Sequence, residues 1–270
     1  MKLGVGSYTY TWAIGVPGHA PADPLAAGGL LARACELGVS VVQFCDNLSL
    51  AALPRRELDE LSGFARESRL QVEIGTRGLD DANLLAHLGL AIELAAPFVR
   101  LVVDAPDCHP APEEVVARLA PVVARFAAAG VKLAIENHDR FSTRTLVEIV
   151  ERLGPEHVGI CLDTVNSFGA LEGPEVVVER LAPYALNLHV KDFTIARVNG
   201  SMGFVVEGCP AGEGRLDVPW LLERLRAARR DVNAILELWT PRDASLEETI
   251  GREAAWARAS VAYLRRLIPD

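Results

Sequence analysis

Four side chains in the second half of the chain have types and positions suited to chemistry: Glu136 in KLAIENH, Asp163 in VGICLDT, His189 in LNLHVKD and Glu237 in AILELWT. Each sits at or near the end of an apolar run with the character of a buried strand. An ionised group there is costly unless it is paired or bound to a cation, so four together point to one shared divalent metal. Three carboxylates and an imidazole, without a thiolate, suit Mn²⁺, Mg²⁺, Co²⁺ or Zn²⁺, with positions left for substrate oxygens. Residues two apart share a strand face, which places His138 with Glu136 and Lys191 with His189. His138 could orient a substrate hydroxyl or act as an acid, and Lys191 could hold a carboxylate or an enolate oxygen. Cys161 shares the face of Asp163, although a small core residue is the commoner use of such a thiol.

The elements that must bring these residues together follow from a repeated alternation of short β-branched runs and amphipathic stretches. The pattern predicts strands at 3–8, 40–45, 71–75, 98–103, 132–138, 158–163, 185–190 and 234–238. Helices are predicted at 24–37, 56–68, 81–95, 113–129, 144–153, 174–181, 219–228 and 246–268, with Gly38, Gly130 and Gly154 as left-handed caps at three helix ends. Eight strand–helix units imply parallel pairing through right-handed crossovers, and their number fits a closed α/β barrel, a (β/α)8 TIM barrel, as one domain over 1–270. A doubly wound sheet is the alternative; the stretch after the first strand, GSYTYTWAIG, lacks its G-x-G-x-x-G turn.

In such a barrel the C-terminal strand ends and the following loops build the site. Tyr8, Trp12, Gln43, Asp46 and Asn47 then lie where substrate oxygens could be met, although Asp46 and Asn47 also suit a turn. The longest connection, 193–216, reads as a lid with Glu207, Glu213, Arg215 and the adjoining Asp217 as polar candidates. Asp217, ahead of VPWLL, also has the look of a helix cap.

The 270 residues carry 27 basic and 36 acidic side chains, a net charge of −9, which argues against nucleic acid as the main partner. The start MKLGVGSYTYTW has no long apolar run behind a basic segment, so neither a signal peptide nor a membrane span is expected, and the cytoplasm is the default location. The five cysteines are odd in number and never form C-x-x-C, which predicts reduced thiols. Exposed outer helices leave a homo-oligomer open.

The segments A-I-E-N-H, G-x-C-L-D-T, N-L-H-V-K-D, G-x-G-x-x-D (Gly212, Gly214, Asp217) and L-E-L, in this order, resemble the xylose-isomerase-like barrel superfamily of sugar isomerases, epimerases and dehydratases. The resemblance implies one metal held by Glu136, Asp163, His189 and Glu237, with Glu136 and Glu237 also moving protons and Asp217 near the metal or just behind it. It departs from the superfamily's apurinic endonucleases: Asn166 stands where their trinuclear zinc cluster has a histidine, so phosphodiester hydrolysis falls behind.

The leading expectation is a metal-dependent sugar or keto-sugar isomerase or epimerase working through a metal-stabilised enediolate. The segments Q-F-C-D-N-L, K-D-F and G-F-x-x-x-G-x-P-x-G-E-G resemble a branch associated with sugar-acid breakdown, and so support a decarboxylase of a 3-oxo sugar acid as runner-up, with a dehydratase beside it. A barrel that binds metal and a sugar acid without turnover is the non-enzymatic alternative. A phosphorylated substrate is not favoured, since no glycine-rich phosphate loop is evident.

Overall fold

The computed structural model describes residues 1–198, 200 and 202–269. Seven parallel strands come first: β1 (Leu3–Gly6), β2 (Val41–Phe44), β3 (Gln71–Arg77), β4 (Phe98–Val102), β5 (Lys132–Glu136), β6 (Val158–Asp163) and β7 (Ala185–Val190). An antiparallel hairpin of β8 (Asp192–Arg197) and β9 (Phe204–Cys209) follows, and β10 (Asn233–Leu236) pairs with both β7 and β1 to close the barrel. The predicted eight-unit barrel is therefore the observed fold.

Helices α1 (Thr11–Ile14), α2 (Ala27–Leu37), α3 (Arg55–Glu67), α4 (Asp81–Glu93), α5 (Pro112–Ala128), α6 (Thr143–Leu153), α7 (Pro174–Leu181), α8 (Val218–Ala227) and α9 (Leu246–Leu264) complete it. Their sequences explain their limits. In α6 the Ser142 hydroxyl accepts Thr145 N–H at 3.3 Å, and Leu146, Ile149, Val150 and Leu153 recur at helical spacing on the buried face. A reciprocal Ser245–Glu248 capping box starts α9. Gly38 ends α2 in the left-handed conformation (φ 66°, ψ 27°), as expected. Gly154 does not: its ψ of 104° takes the chain out of α6 extended, towards β6.

Three further expectations are corrected. β1 stops at Gly6 because Ser7–Thr9 coil into a 3₁₀ turn, and the Thr9 hydroxyl accepts Gly6 N–H at 3.0 Å. β5 stops at Glu136, so His138 lies beyond the ladder. The connection read as a loop at 193–216 is largely the β8–β9 hairpin; its positions 199 and 201 lie outside the described residues. Gly208 lets the hairpin base press against Trp239, where a Cβ would come 2.3 Å from the Trp239 carbonyl oxygen. Among the described residues, no helix is long and apolar enough to cross a membrane, and the five cysteines are free.

Candidate active site

Glu136 and Asp163 are the last residues of β5 and β6, His189 is the penultimate residue of β7, and Glu237 directly follows β10. Parallel register sets Asp163 beside His189, so the barrel aims all four inward at its C-terminal end. His189 Nδ1 lies 3.3 Å from Glu237 Oε1, 3.4 Å from Glu136 Oε2 and 3.7 Å from Asp163 Oδ2.

Each carboxylate is held differently. Asp163 Oδ1 accepts the backbone N–H groups of Val165 and Asn166, both at 2.9 Å, which turns Oδ2 towards the histidine. The Asn137 amide brackets the same residue, accepting from Asp163 N and donating to Asp163 O. Glu136 is tied on both oxygens, to Arg100 Nε and to Asn166 Nδ2 (2.7 Å). Glu237 has no hydrogen bond on either oxygen.

Asp163 Oδ2, His189 Nδ1 and both Glu237 oxygens are buried without hydrogen-bond partners, a costly cluster in a protein interior. A bound cation would resolve it. The donor atoms of Asp163, His189 and Glu237 fall within 4.8 Å of one another, a separation compatible with ligands at about 2.0–2.6 Å around one ion. The side chains present thus fit a hard or borderline divalent metal. A second grouping, Glu136, Cys161 and His189, also brings its donor atoms within 4.8 Å of one another; Cys161 Sγ lies 3.2 Å from the other ring nitrogen, Nε2, and burial raises its thiol well above the ordinary range.

Lys191 Nζ stands 2.8 Å from Asp163 Oδ2 and from Glu237 Oε2, close enough for charge compensation but out of hydrogen-bond alignment. Burial alone would favour a neutral lysine; the adjacent Asp163 and Glu237 outweigh it and keep the ammonium charged. Burial would also raise Asp163, but Lys191 and His189 hold its pKa below the usual range. For Glu136 the same burial is overcome chiefly by Arg100.

A cavity of about 410 Å³ opens above these groups. Of the sequence-predicted residues, Glu136, Glu237, His138, Lys191, Tyr8 and Trp12 line it. Asp163 and His189 lie fully buried behind its wall. Asp46 supports the rim, accepting Arg77 Nε and Arg100 Nη1 at 2.9 Å and the Tyr8 hydroxyl at 3.1 Å.

The remaining substrate-contact expectations are corrected. Gln43 is fully buried, with its Oε1 2.7 Å from His189 Nε2, beneath the site rather than on its wall. Asn47 pins the turn after β1 through two hydrogen bonds to Ser7. Arg215 and Asp217 border a different depression, with Phe168, Phe193 and Trp220. Asp217 caps α8 by accepting Trp220 N–H at 2.9 Å. The glycine motif before it serves Asp192, whose carboxylate accepts the backbone N–H groups of Gly212, Gly214 and Leu216.

Arg77, Arg100 and Glu73 were missed. Arg100 in FVRLV and Glu73 in QVEIG are charges inside apolar strands, the same signal that marked Glu136.

The family described as xylose isomerase-like TIM barrel matches residues 31–267. The 3-oxo-isoapionate decarboxylase of Pectobacterium atrosepticum is 36% identical over 264 residues, covering 98% of this chain and 95% of that protein. Among solved structures, the D-psicose 3-epimerase of Clostridium cellulolyticum H10 with D-tagatose superposes with a TM-score of 0.74 at 14% identity, covering 99% of each chain. A xylose isomerase-like TIM barrel protein of Mycobacterium smegmatis in complex with magnesium gives 0.70 at 15% identity, covering 97% of each. At such identities these two share the fold.

Proposed function

Since the chain belongs to the xylose isomerase-like TIM barrel family, we propose that it is a divalent-metal-dependent decarboxylase of a 3-oxo sugar acid. The observation that carries this reading is the charge around the cavity. Arg77, Arg100 and Lys191 line it, facing Asp46, Glu136, Asp163 and Glu237. These three cations give a substrate carboxylate partners in the cavity wall once a divalent ion has engaged the buried carboxylates. The identity to the Pectobacterium decarboxylase supports the same choice.

A divalent ion held by Glu136, Asp163, His189 and Glu237 would supply the positive charge that stabilises negative charge developing on the substrate's carbonyl oxygen. The protein's own groups do the rest. Arg77, Arg100 and Lys191 receive the carboxylate and orient it. As the bond to that carboxylate breaks, CO₂ leaves and the electron pair moves into the neighbouring carbonyl, giving an enolate. Glu237, which lines the cavity with no hydrogen bond on either oxygen, takes up a proton from solvent and delivers it to the carbon. His138, in the cavity wall, orients a hydroxyl.

An isomerase or epimerase is the second reading, favoured by the presence of two carboxylates, Glu136 and Glu237, in the cavity wall. The test is to incubate Mn²⁺-loaded protein with 3-oxo sugar acids and keto-sugars in deuterated water. CO₂ release with deuterium at the former carboxyl-bearing carbon is expected. Deuterium beside the carbonyl without CO₂ selects the isomerase; tight binding with neither product leaves a binding barrel and sinks both enzyme readings.

A further inference from the structure

Beneath the four ligand residues the barrel holds a second polar layer. Gln43, Glu73 and Asn187 are fully buried there, with Asn233 at the edge. Strand register creates it, pairing Gln43 with Glu73 across β2 and β3, and Asn187 with Asn233 across β7 and β10. Polar groups so deep must be satisfied by one another, so their donor and acceptor roles constrain each other.

Glu73 collects three amide donors. Its Oε2 accepts Gln43 Nε2 at 3.1 Å and Asn187 Nδ2 at 3.0 Å, and its Oε1 accepts Asn233 Nδ2 at 2.7 Å. Asn187 and Asn233 cannot profitably turn round, since Asn187 Oδ1 accepts Gln43 Nε2 at 3.0 Å and Asn233 Oδ1 accepts Lys2 N–H at 3.3 Å. Gln43 Nε2 thus has two acceptors on one side, and its carbonyl must face the other way, 2.7 Å from His189 Nε2. A carbonyl only accepts, so the ring proton sits on Nε2. A neutral imidazole protonated at Nε2 carries its lone pair on Nδ1, the atom that faces the three carboxylates.

We infer that Glu73 and Gln43 are positioning residues that lock His189 in the Nε2–H tautomer and so present its Nδ1 lone pair to the divalent ion. The opposing influence is Cys161, whose thiol, 3.2 Å from Nε2, could donate to that nitrogen and drive the ring proton to Nδ1. Asn187 Oδ1 offers the thiol another acceptor at 3.6 Å, while the amide of Gln43 decides the tautomer. Neither Glu73 nor Gln43 lines the cavity, and Glu73 acts only through Gln43.

The inference rests on the metal reading of the site, but its spectroscopic test does not. Long-range ¹H–¹⁵N spectra of the metal-free wild type, at a pH that leaves the ring neutral, should show His189 protonated at Nε2 alone; protonation at Nδ1 overturns the inference. Glu73→Gln gives the Gln43 amide a partner that can also donate, which frees it to flip. The variant should show mixed tautomers and bind zinc about 10–100-fold more weakly, the range for loss of an outer partner of a histidine ligand. Exchanging the two groups, Gln43→Glu with Glu73→Gln, restores an obligate acceptor beside Nε2 and should recover both the single tautomer and the affinity. A folded Glu73→Gln protein with wild-type tautomer and zinc affinity, or an exchange variant that recovers neither, overturns the lock. If Glu73→Gln fails to fold, the wild-type spectrum and the exchange variant decide. A wild type that binds no zinc counts against the metal site, and the tautomer spectrum still decides the lock.

Discussion

Glu136 and Glu237 face the same imidazole nitrogen at nearly equal distances, yet their surroundings make them different reagents. Glu136 is bound on both oxygens by Arg100 and Asn166, and the arginine beside it favours the ionised form. Glu237 has no hydrogen bond and only an ion pair with Lys191. A carboxylate with both oxygens engaged makes a stiff ligand, whereas one with free lone pairs can exchange a proton with substrate. Glu237→Gln should therefore lower kcat by about 100-fold or more while metal content stays close to one ion per chain. Parallel steady-state kinetics and metal analysis check this, and equal, mild losses in both would remove Glu237 from proton transfer. The strand-end rule found Glu136, Asp163, His189 and Glu237 because a lone charge in an apolar run is visible in one dimension. It could not rank them, because the ranking comes from partners such as Arg100, on another strand.

At the scale of elements, helices were the most legible, since amphipathic spacing and cap residues are local. The segment after β7 was the least. Its length and glycines suggested a lid, whereas the glycines permit close approach: Gly208 to Trp239, and Gly214 to the Asp192 carboxylate, where a Cβ would come within 2.2 Å of Oδ1. Gly208→Ala must displace the Trp239 backbone, and Trp239 lines the cavity. The substitution should raise KM more than it lowers kcat and cost about 1–3 kcal/mol of stability, measured by kinetics and urea unfolding. Asp217, expected from resemblance near the metal and from its setting as a helix cap, shows only the cap contact. Asp217→Ala should accordingly cost about 1 kcal/mol and leave Mn²⁺ affinity, measured by calorimetry, unchanged; a tenfold loss of affinity would put it back beside the metal.

At the scale of the whole molecule, the closing helix α9 reaches back to the beginning of the chain. Glu253 accepts the backbone N–H groups of Trp12 at 2.9 Å and Ala13 at 3.1 Å, and so fixes α1, which carries Trp12 into the cavity wall. Burial pushes the Glu253 carboxyl up to about 7, against the pull of those N–H groups and of Arg33. Because the folded pKa lies above the unfolded one, the stability linked to this proton is complete below about pH 4.5 and lost as pH rises through about 7. The shift corresponds to about 3 kcal/mol at most. Subtracting the stability of Glu253→Gln from that of wild type at each pH, by urea unfolding, should give a difference that falls across this window. A flat difference would show that the carboxyl titrates at its ordinary value.

The sequence alone determined the eight strand–helix units, the closed barrel and the four residues converging at its C-terminal end. Each of these is written in local periodicity or in the local cost of a charge in an apolar strand. Tertiary structure decided what stands behind those residues: Arg100 on Glu136, Lys191 between two carboxylates, and Gln43 under His189 rather than on the cavity wall. The reason is separation along the chain. Gln43 and His189 are 146 positions apart, and only closure of the barrel turns their strand faces towards a common interior. There the scarcity of water obliges each polar group to find its partner among the others.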